Sequence, residues 1–123
     1  MNRLKTAKYK NKAYGKWIHE NVACCVTGNT STVDPHHIIG HGYSATGTKA
    51  PDCLQMALCH DLHLEIHQHG WKAFEDKYAV SQKQMVAQTI LVSHAKEFLD
   101  IQKLDEDGHI PQWLWDEIGE FSP

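Results

Sequence analysis

The chain lacks the features that would commit it to a membrane, a secreted scaffold or a repeat array. No apolar stretch in its 123 residues approaches the roughly 18 needed to span a bilayer. The first 20 residues are basic and polar, without the apolar run of a secretory leader. A cytoplasmic location with no membrane partner is therefore expected. Four cysteines, two of them the adjacent Cys24 and Cys25, are too few and too awkwardly placed for a disulfide framework. Thiols or metal ligands are the better expectation for them. No internal repeat or low-complexity tract is present. At 41% hydrophobic and 22% charged, the composition is that of an ordinary globular chain, of a length that suits one domain.

Net charge is −3, which alone gives no reason to expect nucleic acid. The distribution is more telling. Six of the twelve Lys and Arg residues, from Arg3 to Lys16, fall in the first sixteen positions, and no acid precedes Glu20. Residues 1–16 read as a basic arm suited to a polyphosphate backbone, with Arg3, Lys5 and Lys8 as nucleic-acid contacts. A solvated tail is the alternative. Residues 17–123 form the domain proper.

Histidine is the anomaly. There are ten, and seven lie between positions 36 and 69. They gather in two segments, Val33-Asp34-Pro35-His36-His37-Ile38 and Cys59-His60-Asp61-Leu62-His63-Leu64-Glu65-Ile66-His67. The first is β-prone, with Thr32–Asp34 and His37–Ile39 separated by Pro35, which predicts an edge or a break. Thr27-Gly28-Asn29 reads as a tight turn. Gly40 to Asp52 is a loop by composition, in which Lys49 is a candidate phosphate contact. The stretch from Cys53 to Leu58 predicts a second strand. Asp61 is placed to cap a helix that Gly70 ends.

Trp71, Phe74 and Tyr78 recur at helical spacing and are expected to pack in the core. Ser81, with Gln84 three residues on, predicts a capped helix running to about Lys103. Asp105–Gly108 breaks it, and Pro111 opens a last short helix. The fold class is α+β: a core over about 22–70 and a mainly helical extension over about 71–123.

On a helix His63 and His67 share a face, so both imidazoles can reach one cation. Leu64, not Glu, follows His63, which disfavours a zinc protease. From the His36-His37 pair, one ring can supply a third ligand and its neighbour can take a proton from water. Phosphodiester hydrolysis needs that division of labour, and histidine's unperturbed pKa suits the second task.

These segments, with Gly-His-Gly and Gly-Thr-Lys-Ala-Pro-Asp between them, resemble the HNH endonuclease superfamily over residues 22–78. Within it the chain is similar to prophage-encoded HNH proteins and to recombination-enhancement nucleases of temperate phages. The resemblance implies a ββα-metal fold and DNA cleavage around one divalent cation. It assigns His37 as general base and His36, His63 and His67 as ligands. The family's loop Asn has no counterpart, since no Asn follows Asn29, and Asp52 is the candidate to orient the base. Imidazoles suit Zn, Ni, Co or Mn, and Mg with retained waters.

Many relatives carry two CxxC pairs holding a structural zinc. Here Thr27 and Leu62 occupy the second positions after Cys24 and Cys59. Cys25, Cys53 or His60 would have to complete a second, structural Zn site. The implied partners are DNA and a recombinase filament. The rival readings are a structure-specific junction resolvase and a non-catalytic zinc-stabilised DNA-binding accessory protein.

Overall fold

A computed structural model describes residues 8–43 and 49–120. Arg3 and Lys5 lie outside the described residues. The chain is mixed α and β: among the described residues are a two-stranded antiparallel sheet, β1 (Val33–His37) and β2 (Gln55–Cys59), and six helices. The helices are α1 (Lys12–Asn21), α2 (His60–His69), α3 (Trp71–Tyr78), α4 (Gln82–Ala95), α5 (Ile101–Glu106) and α6 (Gln112–Gly119).

The hairpin pairs Val33 with Cys59 and His37 with Gln55. Pro35 lies within β1, an edge strand of the two-stranded sheet, so of the two expectations the edge holds and the break does not. The partner of Pro35 is Ala57, whose N–H donates to the Thr89 hydroxyl and whose carbonyl accepts from Cys25 N–H. Both polar groups of Ala57 thus point away from β1, so the donor that proline lacks is never called for. All of β2 is buried, with α4 packed against it.

Helix α1 begins inside the basic segment. Tyr14 and Ile18 on it are fully buried, and the Tyr14 hydroxyl lies 2.8 Å from Ser93 Oγ on α4. Residues 12–16 therefore belong to the packed body rather than to an arm. At Gly15 α1 runs close to β1: a Cβ there would sit in ordinary van der Waals contact with Pro35, at 3.5 Å.

In α2, Leu62 and Ile66 are buried one turn apart, which turns His63 and His67 outward along the neighbouring stripe. The cap position is Cys59 and the helix starts at His60, with Asp61 inside the first turn rather than before it. Gly70, at φ 86°, ends α2 and also stands before α3. The Ser81–Gln84 capping box forms in both directions. The predicted long helix stops early, at Ala95. Glu97 turns left-handed (φ 63°), and Asp100 caps a separate helix through the amides of Gln102 and Lys103. No helix among the described residues is long and apolar enough to cross a membrane.

Candidate metal and acid–base site

The two histidine segments meet. His36 and His63 have ring centroids 4.9 Å apart, as do His63 and His67. His63 Nε2 lies 3.2 Å from His67 Nε2. The reason is strand alternation. Asp34 and His36 leave β1 on the same face, the face that α2 crosses directly after the hairpin closes.

Hydrogen bonds to pure acceptors fix the ring nitrogens. His36 Nδ1 donates to the His37 carbonyl at 2.8 Å, so its Nε2 keeps the lone pair. His63 Nδ1 donates to Asp34 Oδ2 at 3.1 Å, leaving Nε2 free toward His67. A carboxylate behind a ligating imidazole is the usual means of fixing its tautomer. The 3.2 Å edge between His63 and His67 matches the roughly 3.3 Å separating ligand atoms about a tetrahedral ion with bonds near 2.0 Å. The His63–His67 edge therefore fits a divalent cation, and His36, whose ring centroid is 4.9 Å from that of His63, lies beside it but outside a common 4.8 Å set of donor atoms. Burial disfavours the protonated form of His36 and, together with the neighbouring histidines, lowers its pKa despite the bond to the His37 carbonyl. A neutral ring is the form a cation needs.

His37 points to the other side of β1. Its Nε2 donates to Asp52 Oδ1 at 2.9 Å, so Nδ1 is the free base nitrogen. Asp52 Oδ2 accepts the Asn11 amide at 2.7 Å, just ahead of α1. Burial works against the charged form of Asp52, but the bonds from His37 and Asn11, with Lys49 nearby, outweigh it and hold the carboxyl below its ordinary range. His36, His37 and His63 line one hollow of about 400 Å³, with Lys49 at its edge. A second hollow of about 360 Å³ adjoins it and shares Pro35, His37 and Lys49, with Lys12, Asp52 and Gln55 on its far side.

Residues 1–97 match a protein family described as "Protein of unknown function (DUF968)". The chain belongs to that family. A 75-residue stretch is 40% identical to the uncharacterized protein YdfU of Escherichia coli (strain K12), covering 60% of this chain and 20% of that protein. The chain thus spans about a fifth of the length of that relative. No solved structure matches. The family match takes in both histidine segments, Asp52 and helices α1 to α4, and ends ahead of α5 and α6.

Several contributors to the site are not singled out by sequence reasoning. Asp34 receives His60 Nδ1 at 2.8 Å as well as His63; its signal was the i, i+2 spacing from His36 in a strand. Trp71 meets the His36 ring edge-on at 5.3 Å and walls the site, besides packing on Phe74. Asn11 acts through its backbone, which leaves no trace in residue type. Gln82 holds Ile39 by both its N–H (2.8 Å) and its carbonyl (3.1 Å), pinning the chain just beyond His37.

Other candidates are placed elsewhere. Glu65 accepts from Tyr78 and Lys77 and so is tied to α3. Lys8 donates to the Lys49 carbonyl at 2.6 Å, beside the site. Cys24 lies against Thr27 and the Cys59 main chain, and the other two cysteines face elsewhere. Cys25 lies against Met85 and Thr89, while Cys53 faces the His109 carbonyl. Among the described residues, the one group of three close potential ligands is Asp34, His60 and His63, and it holds no cysteine.

Proposed function

We propose that the chain is a metal-dependent endonuclease of the HNH type that hydrolyses DNA phosphodiester bonds. The observation that carries this reading is a single hollow lined by two ligand histidines, His36 and His63, and by a histidine held by a carboxylate, His37 on Asp52. His36, His63 and His67 hold the cation. When bound, it draws negative charge from the scissile phosphate and the leaving oxygen.

The chain's own residues do the rest. Asp52 keeps the His37 proton on Nε2, so Nδ1 removes a proton from the attacking water. Asp34 keeps the His63 proton on Nδ1, so Nε2 faces the cation. Trp71 sets the tilt of His36. Lys49 stands where the two hollows meet and Lys12 on the far wall, which suits phosphates flanking the scissile one. A duplex backbone so gripped is read by charge and not by base edges. The prophage setting and a recombinase filament as partner belong to this proposal through the HNH resemblance.

Plasmid nicking by wild type and His37→Ala, with EDTA and with added Mn, Mg, Zn, Ni or Co, tests the reading, alongside metal analysis. The expected result is cation-dependent nicking that His37→Ala loses while keeping fold and metal content. Metal bound without nicking by the wild-type chain under any cation would leave a DNA-binding accessory module and sink the nuclease.

A further inference from the structure

Asp34 and His60 do more than the proposed reaction requires. Asp34 Oδ2 lies 2.8 Å from His60 Nδ1 and 3.1 Å from His63 Nδ1, and the three donor atoms are all within 4.8 Å of one another. These separations approach the roughly 3.3 Å between ligand atoms of a tetrahedral zinc ion. The side chain of His60 is 56% exposed, while those of Asp34 and His63 are 29% and 26% exposed. The group therefore opens to solvent on the His60 side, where water can fill a fourth position. Two imidazoles and one carboxylate favour a borderline-soft cation over magnesium. His60 and His63 hold this arrangement because they lie three residues apart at the start of α2, directly above Asp34 on β1.

We propose that Asp34, His60 and His63 form a second, inhibitory divalent-cation site, selective for zinc-like ions, that competes with the proposed catalytic cation for His63. The inference rests on the nuclease reading for the inhibition and for the cation competed with, but not for the Asp34–His60–His63 site itself.

The competition follows from the chemistry of imidazole. A neutral ring has one lone-pair nitrogen and one N–H. In the arrangement described above, His63 carries its proton on Nδ1 and offers Nε2 to the catalytic position. A cation held by Asp34, His60 Nδ1 and His63 Nδ1 displaces both Nδ1 protons, and each neutral ring then carries its proton on Nε2. His63 Nε2 is thereby converted from a ligand into a donor, and the catalytic set loses its middle member. One ring serves either cation but not both.

Two measurements on the full chain test this. In the first, metal-free protein labelled with ¹⁵N in its histidine rings is titrated with zinc. At the higher zinc levels, Nδ1 ligation at His60 and a tautomer change at His63 are expected. In the second, nicking is followed at fixed manganese with rising zinc. Wild type should be inhibited, whereas His60→Ala should keep its manganese-dependent rate and need roughly tenfold or more zinc for half-inhibition. Ring signals of His60 that do not respond to zinc overturn the proposal, as does an unshifted half-inhibition in His60→Ala. If no cation makes the chain nick DNA, the nuclease reading falls, and the ring signals alone decide whether the zinc site exists.

Discussion

His37 Nε2 and Asp52 Oδ1 are 2.9 Å apart across a separation of fifteen residues, and the other oxygen of that carboxylate is taken by the Asn11 amide. One aspartate thereby ties the end of β1 to the start of α1. It leaves the proposed base a single free nitrogen.

From that arrangement, His37→Ala should lower the nicking rate by about 10²-fold or more, the usual contribution of a positioned base. Asp52→Ala should cost about 10- to 100-fold, because the ring keeps its chemistry and loses its orientation. Asp52→Asn should fall between wild type and Asp52→Ala. Its one carbonyl oxygen can accept from His37 or from Asn11, where the carboxylate accepts from both. Single-turnover nicking with saturating metal separates the three.

The two stretches of the basic segment should respond differently to truncation. Compared with removal of residues 1–7, removal of residues 1–16 also takes away the buried Tyr14 and the Asn11 amide. Deleting a buried aromatic side chain alone costs about 3–5 kcal/mol. The longer truncation should therefore melt far lower or fail to fold. Equal midpoints for the two would contradict the burial of Tyr14.

Acid should destabilise the fold through Asp34 and Asp52. Burial opposes the charge on each carboxyl but is outweighed, at Asp34 by His60 and His63 and at Asp52 by His37 and Asn11, so both folded-state pKa values are depressed. The sign for a depressed carboxylate is fixed: its stabilisation is present above the unfolded value and is lost as pH falls through the folded one. Urea midpoints should therefore decline as pH drops below about 4. The double variant Asp34→Asn/Asp52→Asn should show a flatter decline in that window.

Lys12 and Lys49 should act on binding and not on turnover. Each Ala substitution should raise KM for plasmid while leaving kcat near wild type. The slope of log affinity against log salt should shrink by about one per lysine that contacts a phosphate. A fall in kcat with unchanged KM would place them elsewhere in the reaction.

Ser81→Ala tests a purely structural device. It removes the acceptor for the Gln84 amide and should cost about 1 kcal/mol by urea denaturation, with metal content unchanged.

What could be read from the residues alone was whatever rests on period and local chemistry. His63 and His67 share a face because any helix puts them there, Gly70 ends α2 because few other residues accept its backbone angles, and Ser81 caps because its hydroxyl lies three residues from Gln84. Asp52 was found by its loop position and is placed on His37. Pairing across the sheet was harder to foresee. Pro35 was read as an edge or a break; the edge is what forms, and nothing local shows that Ala57 turns its polar groups elsewhere. The stop at Ala95 depends on a left-handed Glu97 and on Asp100 capping anew, both competing with a good helical period. Asp34 was passed over because its two partners lie 26 and 29 residues away. The grip of Asn11 on Asp52 uses only main-chain atoms, which every residue possesses.

Helix α6 reaches further than its distance from the histidines suggests. Leu114 is fully buried under it, and α6 lies along α4. Trp113 on the same helix donates to the Tyr43 hydroxyl at 2.9 Å. Tyr43 is the last described residue of the segment that leaves β1 just past His37 and is clamped at Ile39 by Gln82 of α4. Helix α6 thus backs the segment that rims the hollow lined by His36, His37 and His63. A chain trimmed to the family-matched region would bare the α4 surface and cut that tether in one stroke, so a minimal version of this domain has to be drawn beyond residue 97.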